Sequence, residues 1–361
     1  MNRFKYMTWI IRLTIIILWI GCIFGVLWIA TQTHTPQTEK NTLQVFAWSE
    51  MFVPEIIARF EKETGIKIKI HRYTTNEELL IKLKASQGKG YDLTNPSDYA
   101  VQILIKENLL KKIDHSKLDF LDQINPTICN YDYDPGNKYS IPYEWEVYCF
   151  GIDKTYFQNE MFNPSWSEVF SPPKKPYRIA MVNDPIEAVN FASFYLFGYK
   201  DKLNAEQTEK VHTLLNKQKK WVEAYAGLRA DYLLTTKNCH VALCSSSYAF
   251  RAAKESPDIQ FIIPKEGSFI SIENMCIPIH SKKEDLVYKF LNYVYRPDNL
   301  GQDCSTYYNF PATMNTSPYL NVPQAFKDFL NNSENYAGKL HMIHHVIPEE
   351  QTRSIWIDIK S

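Results

Sequence analysis

The chain has 361 residues, with 40 basic and 40 acidic side chains and a formal net charge of zero. That length accommodates two domains, and the charge balance excludes the basic footprint of a nucleic-acid or anionic-membrane binder. Aromatic residues make up 14% of the chain and Gly is sparse at 12. No G-x-G-x-x-G, G-x-x-x-x-G-K-[ST] or G-x-S-x-G occurs, so the sequence signatures of dinucleotide, phosphate-loop and α/β-hydrolase sites are missing.

In chain order, residues 1–42 read as targeting segment and tether. Arg3, Lys5 and Arg12 precede Leu13–Ala30, an apolar run without a charge. A basic region before such a run directs the chain across a membrane and leaves the charged end inside. The run is nearly long enough to span, and Trp28 sits where a cleavage site needs a small residue. The expectation is therefore an uncleaved inner-membrane anchor in residues 13–30. A cleaved signal and a lipid-modified Cys22 are the alternatives, and Thr31–Thr42 is a polar tether. Export permits disulfides. Cys149, Cys244 and Cys276, however, lie in apolar runs like small core residues, and with Cys129, Cys239 and Cys304 also present no pairing is assignable.

Leu43–Ile70 reads as a βαβ unit. Leu43–Ala47 is a short buried strand, and Pro54–Thr64 is a helix carrying Ile56, Ile57 and Phe60 on one face and stopped by Gly65. Ile66, Ile68 and Ile70 then alternate with lysines as in a half-covered strand. The first turn holds Trp48, Ser49 and Glu50. In open α/β sheets ligands bind at the carboxyl ends of strands. An aromatic ring, a hydroxyl and a carboxylate there suit a cation with an apolar body.

Further βα units follow: a helix over Asn76–Gln87, a strand Tyr91–Thr94 and a turn through Ser97, Asp98 and Tyr99 into a helix ending near Asn108. Ser140–Asp153 is a long strand expected to cross between lobes. Ser165 and Glu168 have capping-box spacing. Arg178–Val182 is a strand leading to Asp184 and Glu187, three residues apart at the start of a helix that runs to about Tyr199. N-capping and dipole compensation account for both acids without a ligand. Ala205–Trp221 is a helix, and His240–Cys244, Gln260–Pro264 and Phe269–Pro278 are strands, the last with Glu273 in its interior. Glu284–Tyr295 is an amphipathic helix stopped by Arg296-Pro297-Asp298.

The order and spacing of many short matches resemble one family. They include Trp48-Ser49-Glu50, Arg59–Lys67, Tyr91-Asp92-Leu93, Pro96-Ser97, Tyr99, Lys112-Ile113-Asp114 and Ser116-Lys117-Leu118. Ser140-Ile141-Pro142-Tyr143, Trp145, Gly151, Pro264–Gly267, Ile277-Pro278 and Arg296-Pro297-Asp298 continue the series. Together they resemble the extracytoplasmic solute-binding proteins of polyamine ABC importers, the spermidine/putrescine-binding proteins. The resemblance implies an α/β, two-lobed periplasmic-binding-protein fold with crossing strands and a cleft that closes on ligand. The implied lobes are 43–150 plus 272–312, and 151–271 plus 313–361. Carried residue by residue, the ligand positions fall on Trp48, Ser49, Glu50, Ser97, Tyr99, Asp184, Glu187, Glu273 and a late aromatic at Phe310 or Tyr308. Asp98 lies between two of them. Three positions depart from the family pattern: Ser245 stands where Trp is usual, Ser271 where an aromatic is usual, and Met51 where a tyrosine is usual.

The chemistry agrees with the resemblance. Each ammonium group of a polyamine is costly to desolvate unless paired, so a site needs acids at both ends and rings between. Trp48 and Tyr99 are the candidate rings, with ordinary packing at lobe edges as the alternative account of them. The expected activity is capture of a small cationic solute, a polyamine, and its delivery to an inner-membrane ABC permease. The protein is expected to be a monomer in the periplasm, with no enzyme activity, cofactor, metal or nucleic acid. The alternatives are the same fold holding a metal ion or another small organic solute, and an anchored envelope hydrolase. For metal, His341, His344 and His345 share a face if their segment is helical, and Tyr307-Tyr308 is similar to the paired tyrosines of ferric-ion-binding proteins. For a hydrolase, the Ser245-Ser246-Ser247 cluster has His240 nearby in sequence but no nucleophile turn.

Overall fold

The computed structural model describes residues 2–33, 40–157, 162–171, 177–226, 229–336 and 338–361. The first helix, Asn2–Thr33, contains the apolar run. The side chains of residues 26–30 lie outside the described ones, as do residues 34–39 of the expected tether. Among the described residues no helix is long and apolar enough to cross a membrane.

The described strands are β1 Thr42–Trp48, β2 Lys67–Tyr73, β3 Leu93–Thr94, β4 Ser140–Asp153, β5 Ile179–Met181, β6 Val222–Tyr225, β7 Val241–Ser245, β8 Ile259–Ile262, β9 Ser268–Cys276, β10 Phe310–Pro311 and β11 Leu340–Met342. They form one curled sheet in the order β2-β1-β3-β9-β4-β7-β5-β6, with β8 and β10 also on β4 and β11 on β9. The two halves share a plan. β1 is parallel to β2 and β3, and β5 is parallel to β6 and β7. Strand β4 joins them. Its first half pairs antiparallel with β9 and its second half with β7 and β8.

Local chemistry explains the elements that place the site. The helix Pro54–Thr64 starts with Pro at its first turn and ends on Gly65 at φ 70, the left-handed cap that glycine adopts without strain. Before it, Phe52 sits at φ 59, costly for a bulky residue. The buried Asp303 carboxylate holds it there, accepting the backbone N–H of Phe52 at 3.2 Å and of Val53 at 2.9 Å. Arg72 donates to the carbonyls of Trp48 at 2.7 Å and Met51 at 2.5 Å. The Trp48–Phe52 turn is thus pinned from two sides.

A second crossing precedes β9. Gly267 has φ 105, and a Cβ there would lie 2.5 Å from the Lys339 carbonyl. Only glycine lets the two crossing segments pass this closely. Phe326 and Phe329, on the helix Gln324–Asn331, pack under the junction against Phe310, Phe250, Phe261 and Trp145. Arg296-Pro297-Asp298 does end the preceding helix, and Pro297 also opens the next, Pro297–Tyr307. The His341–His345 segment is not helical. His341 lies in β11 and its ring stacks on Tyr199 with centroids 4.5 Å apart. All seven cysteines are free thiols, with Cys149 directly opposite Cys244 across β4 and β7.

Candidate ligand-binding site

The residues that follow the carboxyl ends of the parallel strands converge on one cavity of about 660 Å³, a volume suited to a small ligand. Trp48, Ser49 and Glu50 follow β1, Thr74–Asn76 follow β2, and Ser97–Tyr99 follow β3. Asp184 and Glu187 follow β5, Ala226 and Arg229 follow β6, and Ser245 and Tyr248 end or follow β7. The crossing strands form the floor with Glu144, Trp145, Glu146, Tyr148, Ser271 and Glu273. Of the nine positions expected from the sequence, eight line the cavity. Phe310 does not: it is fully buried against Trp145, with Phe326 and Phe329 on it, and the neighbouring Asn309 lines the cavity instead.

One wall is built around Glu273. Its Oε1 accepts from Ser97 Oγ at 2.6 Å and Ser271 Oγ at 3.1 Å, and its Oε2 accepts from Trp48 Nε1 at 2.5 Å. The Trp48 ring lies 4.6 Å from Tyr73, and Asn76 donates to Ser97 Oγ at 2.9 Å. Asp98 faces inward as a brace: its carboxylate accepts the N–H groups of Ile272 at 3.0 Å and Tyr99 at 2.6 Å. Tyr99 is buried, with its hydroxyl 3.3 Å from Glu77.

The opposite wall is the start of the helix Pro185–Phe197. Asp184 caps it, accepting the N–H groups of Ile186 at 2.8 Å and Glu187 at 3.0 Å, so the capping reading holds and the residue lines the cavity as well. Glu187 accepts from Tyr148 OH at 2.6 Å. Glu50 bridges the walls, receiving Arg251 Nη1 at 2.9 Å and Tyr248 OH at 3.4 Å.

The acids outnumber their partners. The ion pairs at the cavity are Glu50–Arg251 and Arg251–Asp231. Among the described residues Glu144, Glu146, Asp184, Glu187 and Glu273 have hydrogen bonds but no basic partner. Burial therefore pushes them toward the neutral form. Glu273 is raised to about 8, chiefly by burial with Glu146 and Asp98 adding, against the Ser97 and Trp48 bonds. Asp184 rises to about 7 by burial and the nearby Glu77 charge, against its backbone bonds. Glu187 is raised well above the usual range by burial and Asp184. Glu146 is raised by burial, against bonds from Ser245 and Ser247. A cation entering this space supplies what these groups lack.

Sequence reasoning missed Glu144, Glu146, Trp145, Tyr148, Tyr225, Tyr232 and Tyr248 as lining residues. A signal was present in the crossing strand, where Glu144, Glu146 and Tyr148 alternate and so share one face. Tyr225, Tyr232 and Tyr248 had none.

A two-lobed α/β frame with a cleft at the carboxyl ends of its strands, lined by rings and uncompensated acids, defines a solute-binding protein rather than a catalyst. The chain belongs to the bacterial extracellular solute-binding protein family, whose model matches residues 55–330. The spermidine/putrescine-binding periplasmic protein of Escherichia coli (strain K12) is 30% identical over 273 residues, which is 74% of this chain and 76% of that protein. A putrescine/cadaverine-binding protein of Pseudomonas aeruginosa is 29% identical over 267 residues, 71% of this chain and 75% of that protein. The structure of a putative spermidine/putrescine ABC transporter from Listeria monocytogenes superposes with a TM-score of 0.79 at 27% identity, covering 89% of this chain and 99% of that one.

Proposed function

We propose that the protein captures a polyamine between its two lobes outside the inner membrane and passes it to the permease of an ABC importer. The observation that carries this is the excess of carboxylates over basic partners inside a cavity that also presents Trp48, Tyr99 and Tyr148. Ammonium groups balance the acids and methylenes lie on the rings, each ring adding about 0.5–2 kcal/mol of cation–π attraction. The polyamine binders among its relatives support the same reading. Glu273 with Trp48, Ser49, Ser97 and Tyr99 takes one end of the ligand, and Asp184 with Glu187 takes the other. Glu50 ties the walls together through Arg251, and Phe310 supports Trp145 from below.

The lobes are 43–150 plus 272–312 and 151–271 plus 313–361, and β4 is the hinge strand between them. Ligand contacts both lobes only when they are closed, so binding shifts the population to that state. Residues 13–30 tether the protein as a monomer to the inner membrane. In support, Ile16, Ile17, Leu18 and Trp19 on the first helix are exposed.

Thermal shift of the purified full-length protein against putrescine, cadaverine, spermidine, spermine, ferric iron, zinc and thiamine tests the reading. A ligand at a hundred times its Kd stabilises by about 2.7 kcal/mol, so polyamines are expected to raise Tm by several degrees. No shift with any of the four amines at millimolar concentration sinks the proposal.

A further inference from the structure

We propose that Glu146 is a third anionic station, between Glu273 and the Asp184–Glu187 pair, and that it selects linear polycations with an interior ammonium group over diamines charged only at their ends. This rests on the polyamine reading above and adds a specificity-determining residue to it.

Strand register carries the argument. Across β4 and β9, Glu144 is opposite Glu273 and Glu146 is opposite Ser271. Two residues further on, Tyr148 is opposite Ser245 on β7, and its hydroxyl donates to Glu187 at 2.6 Å. The carboxylates therefore follow in order along this face: Glu144 on β4 with Glu273 beside it on β9, then Glu146, then Glu187, reached from β4 through the Tyr148 hydroxyl. Same-face positions on a strand are ~6.5–7 Å apart, a step like that between polyamine nitrogens separated by three or four methylenes.

Glu146 is held for this role. Ser247 Oγ donates to its Oε2 at 2.9 Å, and Ser245 Oγ lies 2.8 Å from Ser247 Oγ. The small side chains of Ser271, opposite it on β9, and of Ser245 line the cavity with it. Neither ion pair at the cavity includes it. An end-charged diamine spanning the two walls lays methylenes over this carboxylate and strips its water without supplying a counter-charge, which is unfavourable. An interior ammonium pairs with it. The same residue thus rewards one ligand and rejects the other.

The test is calorimetric titration of the full-length protein with spermidine and with α,ω-diaminooctane, which has spermidine's length but no interior nitrogen. Wild type is expected to bind spermidine at least about tenfold more tightly, equivalent to ~1.4 kcal/mol. Glu146→Gln is expected to erase that gap by weakening spermidine while sparing or improving the diamine. Ser247→Ala is expected to narrow it in the same direction, and it serves as the second variant if Glu146→Gln does not fold. Equal affinities in wild type, or equal loss of both ligands in Glu146→Gln, overturns the proposal while leaving polyamine binding intact. If wild type binds none of spermidine, diaminooctane and putrescine, the polyamine reading itself is overturned.

Discussion

Glu273 and Asp184 stand on opposite walls of one cavity and are held by different means. The donors to Glu273 are the side chains of Trp48, Ser97 and Ser271, two of them more than 170 residues away in sequence. The donors to Asp184 are backbone N–H groups two and three residues on, at the start of its own helix. The first acid exists as a site only when three segments have met. The second is poised by its own turn of helix. Glu273 is buried and Asp184 half-buried, both without a counter-charge, and loss of water raises them to about 8 and about 7 against the hydrogen bonds each accepts.

Substituting each acid probes this contrast most strongly. Glu273→Ala leaves a bound ammonium unpaired and is expected to weaken polyamine affinity by about 3 kcal/mol or more, roughly a hundredfold, by titration calorimetry. Asp184→Ala is expected to weaken it by only about tenfold, because Glu187 remains. It also removes a helix cap worth ~1 kcal/mol, which thermal unfolding of the ligand-free protein would register. Equal affinity losses with no effect on stability would break the comparison.

The Trp48 indole separates two contributions on the first wall. Trp48→Phe keeps a ring but removes the Nε1 donor from Glu273 and is expected to cost ~1–2 kcal/mol of binding. Trp48→Ala should cost a further ~0.5–2 kcal/mol as the cation–π face is lost. If the two variants bind alike, the ring contributes nothing.

The pH response follows from the raised values. In the empty protein Glu273 and Asp184 favour the neutral form up to about 8 and about 7 respectively, whereas a bound ammonium requires the carboxylate. Binding near neutral pH should therefore release protons, and affinity should climb through pH 7 to 8 and then level off. A folded-state value above the unfolded one means that the native state holds more protons between the two, so ligand-free stability should fall as pH rises from about 4 to about 7–8 and then level off. Calorimetry in buffers of different ionisation enthalpy measures the protons, and uptake instead of release would contradict the picture. The smallest effect is expected at Glu50, already paired with Arg251. Glu50→Gln should change affinity by less than about fivefold, since partly exposed ion pairs contribute ~0–1 kcal/mol.

The sequence by itself determined what depends on neighbours along the chain. The unit from Leu43 to Ile70 was legible because strand alternation, a Pro at the helix start and Gly65 at its end are signals within a few residues of one another. The helix Pro54–Thr64 has the expected bounds, and so does the strand Ser140–Asp153. Asp184 was legible as a cap for the same reason, and ordered short matches carried the family. Tertiary structure alone decided which side chains share the cavity. Phe310 went into the core because β10 lays it against Trp145, under a helix whose polar surroundings hid its two phenylalanines. Ser245 and Ser271 read as losses from an aromatic box, yet in the fold they flank Glu146, the acid that no local pattern marked as facing ligand. A strand's alternation says that Glu144, Glu146 and Tyr148 share a face. Only the pairing of β4 with β9 and β7 says that this face is the floor between Glu273 and Glu187, because register is set by contacts between segments far apart in the chain.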